Sequence, residues 1–163
     1  MDPGELKYTA ADLENAIPAM SPGLFQNWIA RGVLPVSQQN PGRGASRLYS
    51  FGEAVTTEIM VQMALHGQPS KLSAAAGQAA ARHVADYVAH GGKLTDLGEI
   101  EHEEWPFLVF NYLGEKLDYE IVKRCDLTDI QKLYYQVVDF MYIAIKLYSA
   151  LETVREVRIR SGK

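Results

Sequence analysis

The chain has one cysteine, Cys125, so it can form no internal disulfide, and a reducing, cytoplasmic setting is expected. It also lacks an uncharged apolar run long enough for a bilayer. The longest candidate, VVDFMYIAIKLYSAL, is broken by Asp139 and Lys146, and the opening MDPGELK has neither the basic nor the apolar region of a secretion signal. Membrane association is therefore not expected. No glycine-rich phosphate cradle and no serine nucleophile elbow occurs. His83 and His90 lie two helical turns apart, but no cysteine or carboxylate sits with them at ligand spacing, and His66 and His102 are as isolated. Glu99, Glu101, Glu103 and Glu104 crowd before Trp105-Pro106 with no nucleophile or metal motif beside them. These absences point away from an enzyme and from a bound metal or cofactor.

The most informative absence is local. Between Glu14 and Glu53 there is no acidic residue, while Arg31, Arg43 and Arg47 all fall inside the gap. A polyanion needs such a surface, because arginine–phosphate contacts supply most non-specific affinity and nearby carboxylates cancel it. The whole chain of 163 residues nevertheless carries a net charge of −4, which argues against a protein that coats DNA indiscriminately. The negative charge sits further on. Residues 86–139 hold twelve acids against five bases, so a basic-leaning head is followed by an acidic region that is expected to face away from DNA.

Punctuation divides the head. Thr9 with Asp12 reads as a capping box opening a short helix that carries Leu13 and Ile17 on one face. Ser21-Pro22 opens a second helix, with Ser as cap and Pro at the first helical position, where its missing N–H costs nothing. Phe25, Trp28 and Ile29 fall on its inner face, and Arg31-Gly32 ends it. Leu34-Pro35-Val36 then reads as an extended strand, Gln38–Ser46 as a polar glycine-rich turn, and Arg47-Leu48-Tyr49 as the returning strand of a β-hairpin wing. Ser50 with Glu53 is a second capping box, for a helix that stops at Gly67.

This order of parts resembles the MerR family of winged-helix regulators over about residues 7–70. YTAADL is similar to that family's YTIGEL-type first helix, SPGLFQNWIARGVLP to its SPRTLRYWEREGLLP recognition helix, and RLYS to the end of its wing. Gln26 and Asn27 stand where the family usually has an Arg and an aromatic, and Ile29 where it usually has a Glu. Gln and Asn can still read base edges, adenine in particular. The resemblance implies that the helix from Ser21 to Arg31 enters the major groove of double-stranded DNA. The DNA-contacting set would then be Ser21, Gly23, Gln26, Asn27, Arg31, Arg43, Arg47 and Tyr49. It also implies a homodimer, with RNA polymerase as a further partner.

Beyond the head, Ser70–Tyr87 is an alanine-rich helix stopped by Gly91-Gly92. Phe107–Tyr112 and Leu117–Val122 flank a short turn and read as a β-hairpin that needs something to pack on. Thr128 with Gln131 then opens a long helix. Ile130, Leu133, Val137, Phe140, Ala144, Leu147, Leu151 and Val154 recur at alternating steps of three and four, the spacing of a helix that seams against another. Leu133, Val137, Phe140, Ala144, Leu147 and Leu151 are the expected dimer contacts, in a helix expected to pack on its own hairpin and on a partner subunit together, and a single buried helix of a monomer is the alternative.

The sequence thus predicts a mainly α protein. It would comprise a winged helix-turn-helix over 1–70, a linking helix and hairpin over 71–126, and a C-terminal dimerisation helix over 127–163. The expected function is that of a dimeric, sequence-specific transcriptional regulator. A winged-helix adaptor that binds protein, or an excisionase-like accessory DNA-binding protein, is the competing expectation.

Overall fold

The computed structural model describes residues 2–38, 46–95, 105–113, 116–126 and 135–162. Among these, five α-helices and two small antiparallel sheets alternate along the chain. Strand β1 (Tyr8–Thr9) leads into α1 (Ala10–Ala16) and α2 (Pro22–Ala30), and β2 (Leu48–Tyr49) returns to pair with β1, Tyr8 opposite Tyr49. Helices α3 (Phe51–Leu65) and α4 (Ser70–Ala89) follow as an antiparallel pair. A hairpin of β3 (Pro106–Leu113) and β4 (Lys116–Lys123), the strand β5 (Tyr135–Val138) and helix α5 (Phe140–Arg160) complete the order.

The local signals act as read. Thr9 Oγ1 accepts the N–H of Asp12 and the Asp12 carboxylate accepts that of Thr9, closing the first capping box. Ser50 and Glu53 close the second in the same way. Ser21 stands at the N-cap position of α2 without a side-chain cap bond, Pro22 is the first helical residue, and Gly32, at φ +63°, takes the left-handed position after the helix. The Trp28 carbonyl then receives both Val33 N–H and Leu34 N–H, which turns the chain sharply away from α2. Ser70 is the first helical residue of α4 and not its cap, which is Pro69.

Three expectations are corrected. Leu34–Val36 is not a strand, and β2 pairs with β1 instead. Pro35 has no N–H to give a ladder, and the next donor, Ser37 N–H, is captured by the Glu53 carboxylate. The turn of the expected wing, residues 39–45, lies outside the described residues and takes Arg43 with it.

The second correction concerns the long C-terminal helix. It begins at Phe140, not near Thr128, because Val137 and Val138 are spent on β5, opposite Val109 and Leu108 of β3. Asp139 caps the helix by accepting Tyr142 N–H at 2.9 Å and holds the indole N–H of Trp105 at 2.8 Å, joining helix to sheet. Leu133 lies outside the described residues, and Val137 is a partly exposed strand residue.

The third concerns what α5 packs on. Phe140, Ala144 and Leu151 are fully buried and Leu147 is 4% exposed within this one chain. They lie against α1, α3, α4 and β3, in one core that draws on all three of the expected segments. The stripe read as a dimer seam is filled by the chain itself.

Polar contacts fix α5 to the head as well. Glu152 accepts the Tyr8 hydroxyl at 2.6 Å and the Lys7 ammonium at 2.9 Å. Arg158 pairs with the buried Asp12 at 3.1 Å and donates to the Lys7 carbonyl at 3.2 Å. Burial pushes the Tyr8 hydroxyl pKa up, and the bond to Glu152 adds to it. Burial would raise the Glu152 carboxyl too, but the bonds from Tyr8 and Lys7 outweigh it and hold the group below its ordinary value. A depressed carboxyl stabilises the fold above the ordinary carboxylate range and loses that contribution as pH falls through its folded-state value. Glu152→Gln should therefore lower stability at neutral pH by about 1 kcal/mol, or roughly 2–4 °C in Tm. The difference from wild type should shrink on acidification below pH ~4, as Glu152 protonates. Parallel Tm-versus-pH curves for the two proteins would refute this role.

Candidate nucleic-acid interface

Helix α2 presents two chemically different sides. Phe25 and Trp28 are buried at 0% and 4% exposure, and Phe25 packs on Tyr49 with ring centroids 5.4 Å apart. Ser21, Gly23, Gln26, Asn27 and Arg31 are all exposed. The spacing that sends Phe25 and Trp28 inward leaves Gln26 and Asn27 outside, so two carboxamides and one guanidinium share an outer surface. Ser21 makes no side-chain cap bond. Gly23 meets only Ser21 Oγ, at 3.9 Å, if given a Cβ, so internal packing does not demand a glycine there. The residue does keep that stretch of helix low, so that a partner's backbone can approach closely.

The candidate set does not stay together entirely. Tyr49 is 1% exposed and belongs to the core. On a two-residue strand the alternation is too short to show which face is inner, and pairing with Tyr8 turns Tyr49 inward. Burial raises its hydroxyl pKa, against the opposing effect of a hydrogen bond from Arg47. Arg47 is half-buried, and its Nε donates to the Gln38 carbonyl at 2.7 Å. Its first duty is thus to hold the returning segment.

Sequence reasoning missed what joins Gln38 to the Arg47-Leu48 segment. Gln38 Oε1 accepts Leu48 N–H at 2.7 Å, so with the Arg47–Gln38 bond the two arms are tied twice. Glu53 uses one carboxylate oxygen for Ser50 N–H and the other for Ser37 N–H. The only signal for Glu53 in the sequence was its capping position, which explains one of those two bonds.

The remaining chemistry is sparse. Among the described residues no group of three or more His, Cys, Asp or Glu is placed to hold a metal ion. His83 stands edge-on to Phe140 at 5.4 Å, and burial lowers its pKa, with Asp86 opposing. His90 Nδ1 lies 2.7 Å from the Asp86 carbonyl. Cys125 is exposed. Among the described residues no helix is long and apolar enough to cross a membrane.

No protein-family model matches the chain, and no curated protein matches it. The functional reading therefore rests on this geometry.

Proposed function

We propose that the chain is a sequence-specific duplex-DNA-binding regulator of the MerR type, reading bases with the outer face of α2. The observation that carries the reading is the juxtaposition of exposed Gln26, Asn27 and Arg31 on a helix whose inner face is locked by Phe25 and Trp28. Bidentate Asn or Gln contacts suit adenine in the major groove, and Arg31 suits a phosphate or guanine. The acid-free stretch around them leaves the helix uncompensated in charge. Two such heads on adjacent half-sites would give the specificity that one short helix cannot. The apolar face of α5 is already filled, so contact between copies would use another surface.

Fluorescence anisotropy on duplex DNA across 50–200 mM salt tests the reading. Binding should weaken with salt along a straight log–log line, and Arg31→Ala should flatten the slope by about one unit if it meets a phosphate. On a selected site, Gln26→Ala or Asn27→Ala should each cost about 1–3 kcal/mol at its own base pair and little elsewhere. An amide-rich face with one arginine also suits a protein partner. Absence of salt-dependent DNA binding would turn the reading to that adaptor role.

A further inference from the structure

A cleft of about 400 Å³ lies between the segment leading into the wing loop (Pro35–Ser37), the start of α3 and the second half of α4. That is enough room for a small organic molecule. The walls combine apolar groups, among them Pro35, Val36 and Ala81, with Glu53, Gln78 and Arg82.

Its polar groups divide sharply into used and unused. On the α3 side, both Glu53 oxygens accept backbone N–H groups, and Thr56 Oγ1 donates to the Gly52 carbonyl at 2.9 Å. On the α4 side, Gln78 and Arg82 stand four residues apart, on one helix face. Neither makes a hydrogen bond or ion pair with any described residue. Gln78 is half-buried and Arg82 exposed. The cleft therefore offers a planar guanidinium fork and a carboxamide N–H, both unspent, beside an apolar wall.

We propose that this cleft binds a small organic monocarboxylate, its carboxylate on Arg82 and Gln78 and its apolar body against Val36, Pro35 and Ala81. A carboxylate matches the guanidinium fork in a bidentate way and can accept a third bond from the amide. The presence of Glu53 in the same cleft argues for a single negative charge. Glu53 keeps its own charge on two backbone N–H groups and Arg82 offsets one ligand charge, so the second charge of a phosphate dianion would meet Glu53 with no cation left to offset it. The occupant would touch Val36 and Ser37, directly beside the bond that holds Ser37 N–H on Glu53 of α3. It would thus report to the loop, whether or not the head binds DNA.

The test uses the full-length protein without DNA, so its failure is distinct from a failure of the DNA reading. ¹H–¹⁵N spectra are recorded during titration with sodium hexanoate and sodium benzoate, with benzamide and inorganic phosphate as controls. Expected are saturable shifts at Ser37, at the Gln78 side chain and at Arg82 Nε with at least one of the two carboxylates. Affinity should be at least tenfold weaker for benzamide than for benzoate, or absent for it where hexanoate is the one that binds. Arg82→Gln should weaken carboxylate binding at least tenfold and leave the spectrum otherwise native, since Arg82 is exposed and makes no hydrogen bond or ion pair with a described residue. The proposal is overturned if neither carboxylate gives saturable shifts by 20 mM, if benzamide binds as tightly as the better of the two carboxylates, or if Arg82→Gln binds like wild type. Tighter binding of phosphate than of both carboxylates would also overturn it, by making the cleft an inorganic-anion site.

Discussion

Leu147→Asp should unfold the chain, not divide a dimer. Leu147 is 4% exposed on the inner face of α5, the helix that packs on α1, α3, α4 and β3. Removing the leucine alone forfeits about 2–5 kcal/mol. The new carboxylate adds the cost of an unpaired buried charge, several kcal/mol more unless it protonates or the helix moves away. Lys146 lines the same cavity as Leu147, but it is exposed, with its ammonium over the Tyr142 ring, and pairing with a buried carboxylate at position 147 would require it to turn inward and lose water. Leu147 lines the same cavity as Glu58, whose own carboxyl is raised by burial against a bond from Gln62 and whose Oε2 has no hydrogen-bond partner. A second carboxylate beside it meets like charge as well as desolvation. The sum rivals the whole stability of a domain, about 5–15 kcal/mol. Circular dichroism should show loss of the cooperative melt, and light scattering should show an expanded or aggregated chain. A natively folded mutant of half the wild-type mass would instead mean that Leu147 sits at a seam between subunits.

The different fates of Leu147 and of the capping residues show what a sequence can disclose here. Thr9 with Asp12 and Ser50 with Glu53 act within four residues of themselves, so their spacing alone names the bonds they make, and Ser21-Pro22 likewise marks where α2 starts, although Ser21 makes no cap bond. The β3–β4 hairpin is legible for the same reason, being two β-rich runs on either side of a short turn. The stripe from Leu133 to Leu151 announces burial but not the partner, and its partners here are α1, α3 and α4, distant in sequence. Its steps of three and four also run straight through a strand into a helix. Val137 is one residue of a four-residue strand and fits either period, while Asp139, a cap in the middle of the pattern, marks the true boundary. In the candidate interface, Gln26, Asn27 and Arg31 lie outside because Phe25 and Trp28 lie inside, which helical spacing foretells. Tyr49 could not be placed that way, since the inward face of a two-residue strand is set by Tyr8 across the ladder. Gln78 and Arg82 were invisible as a pair, because only the approach of the Pro35–Ser37 segment makes a cleft of their surroundings.

Enlarging Gly77 should separate α3 from α4 and disturb the Pro35–Ser37 segment held on α3. Gly77 is buried in the middle of α4, among Ala74, Ala76 and Ala80, where the alanine-rich face lets the two helices approach closely. A Cβ there would stand 2.8 Å from the Thr56 carbonyl oxygen and 3.0 Å from the Thr56 Cα. Both are backbone atoms of α3, so no side chain can rotate away, and a helix must move. Helix propensity pulls the other way, since alanine is better than glycine inside a helix by about 0.5–1 kcal/mol. Overpacking costs about 1–3 kcal/mol and sometimes more, so Gly77→Ala should be destabilising on balance, by about 1–2 kcal/mol, or roughly 2–8 °C in Tm. Gly77→Val places two carbons more than Gly77→Ala against the same backbone and should cost more. The displacement also reaches the candidate interface, because Thr56 lies one turn from Glu53, whose carboxylate holds Ser37 N–H. Amide exchange at Ser37 should quicken in both variants, along with the fall in Tm. A Gly77→Ala protein that melts higher than wild type would show that propensity outweighs the contact, and that α3 and α4 have room to spare at Thr56.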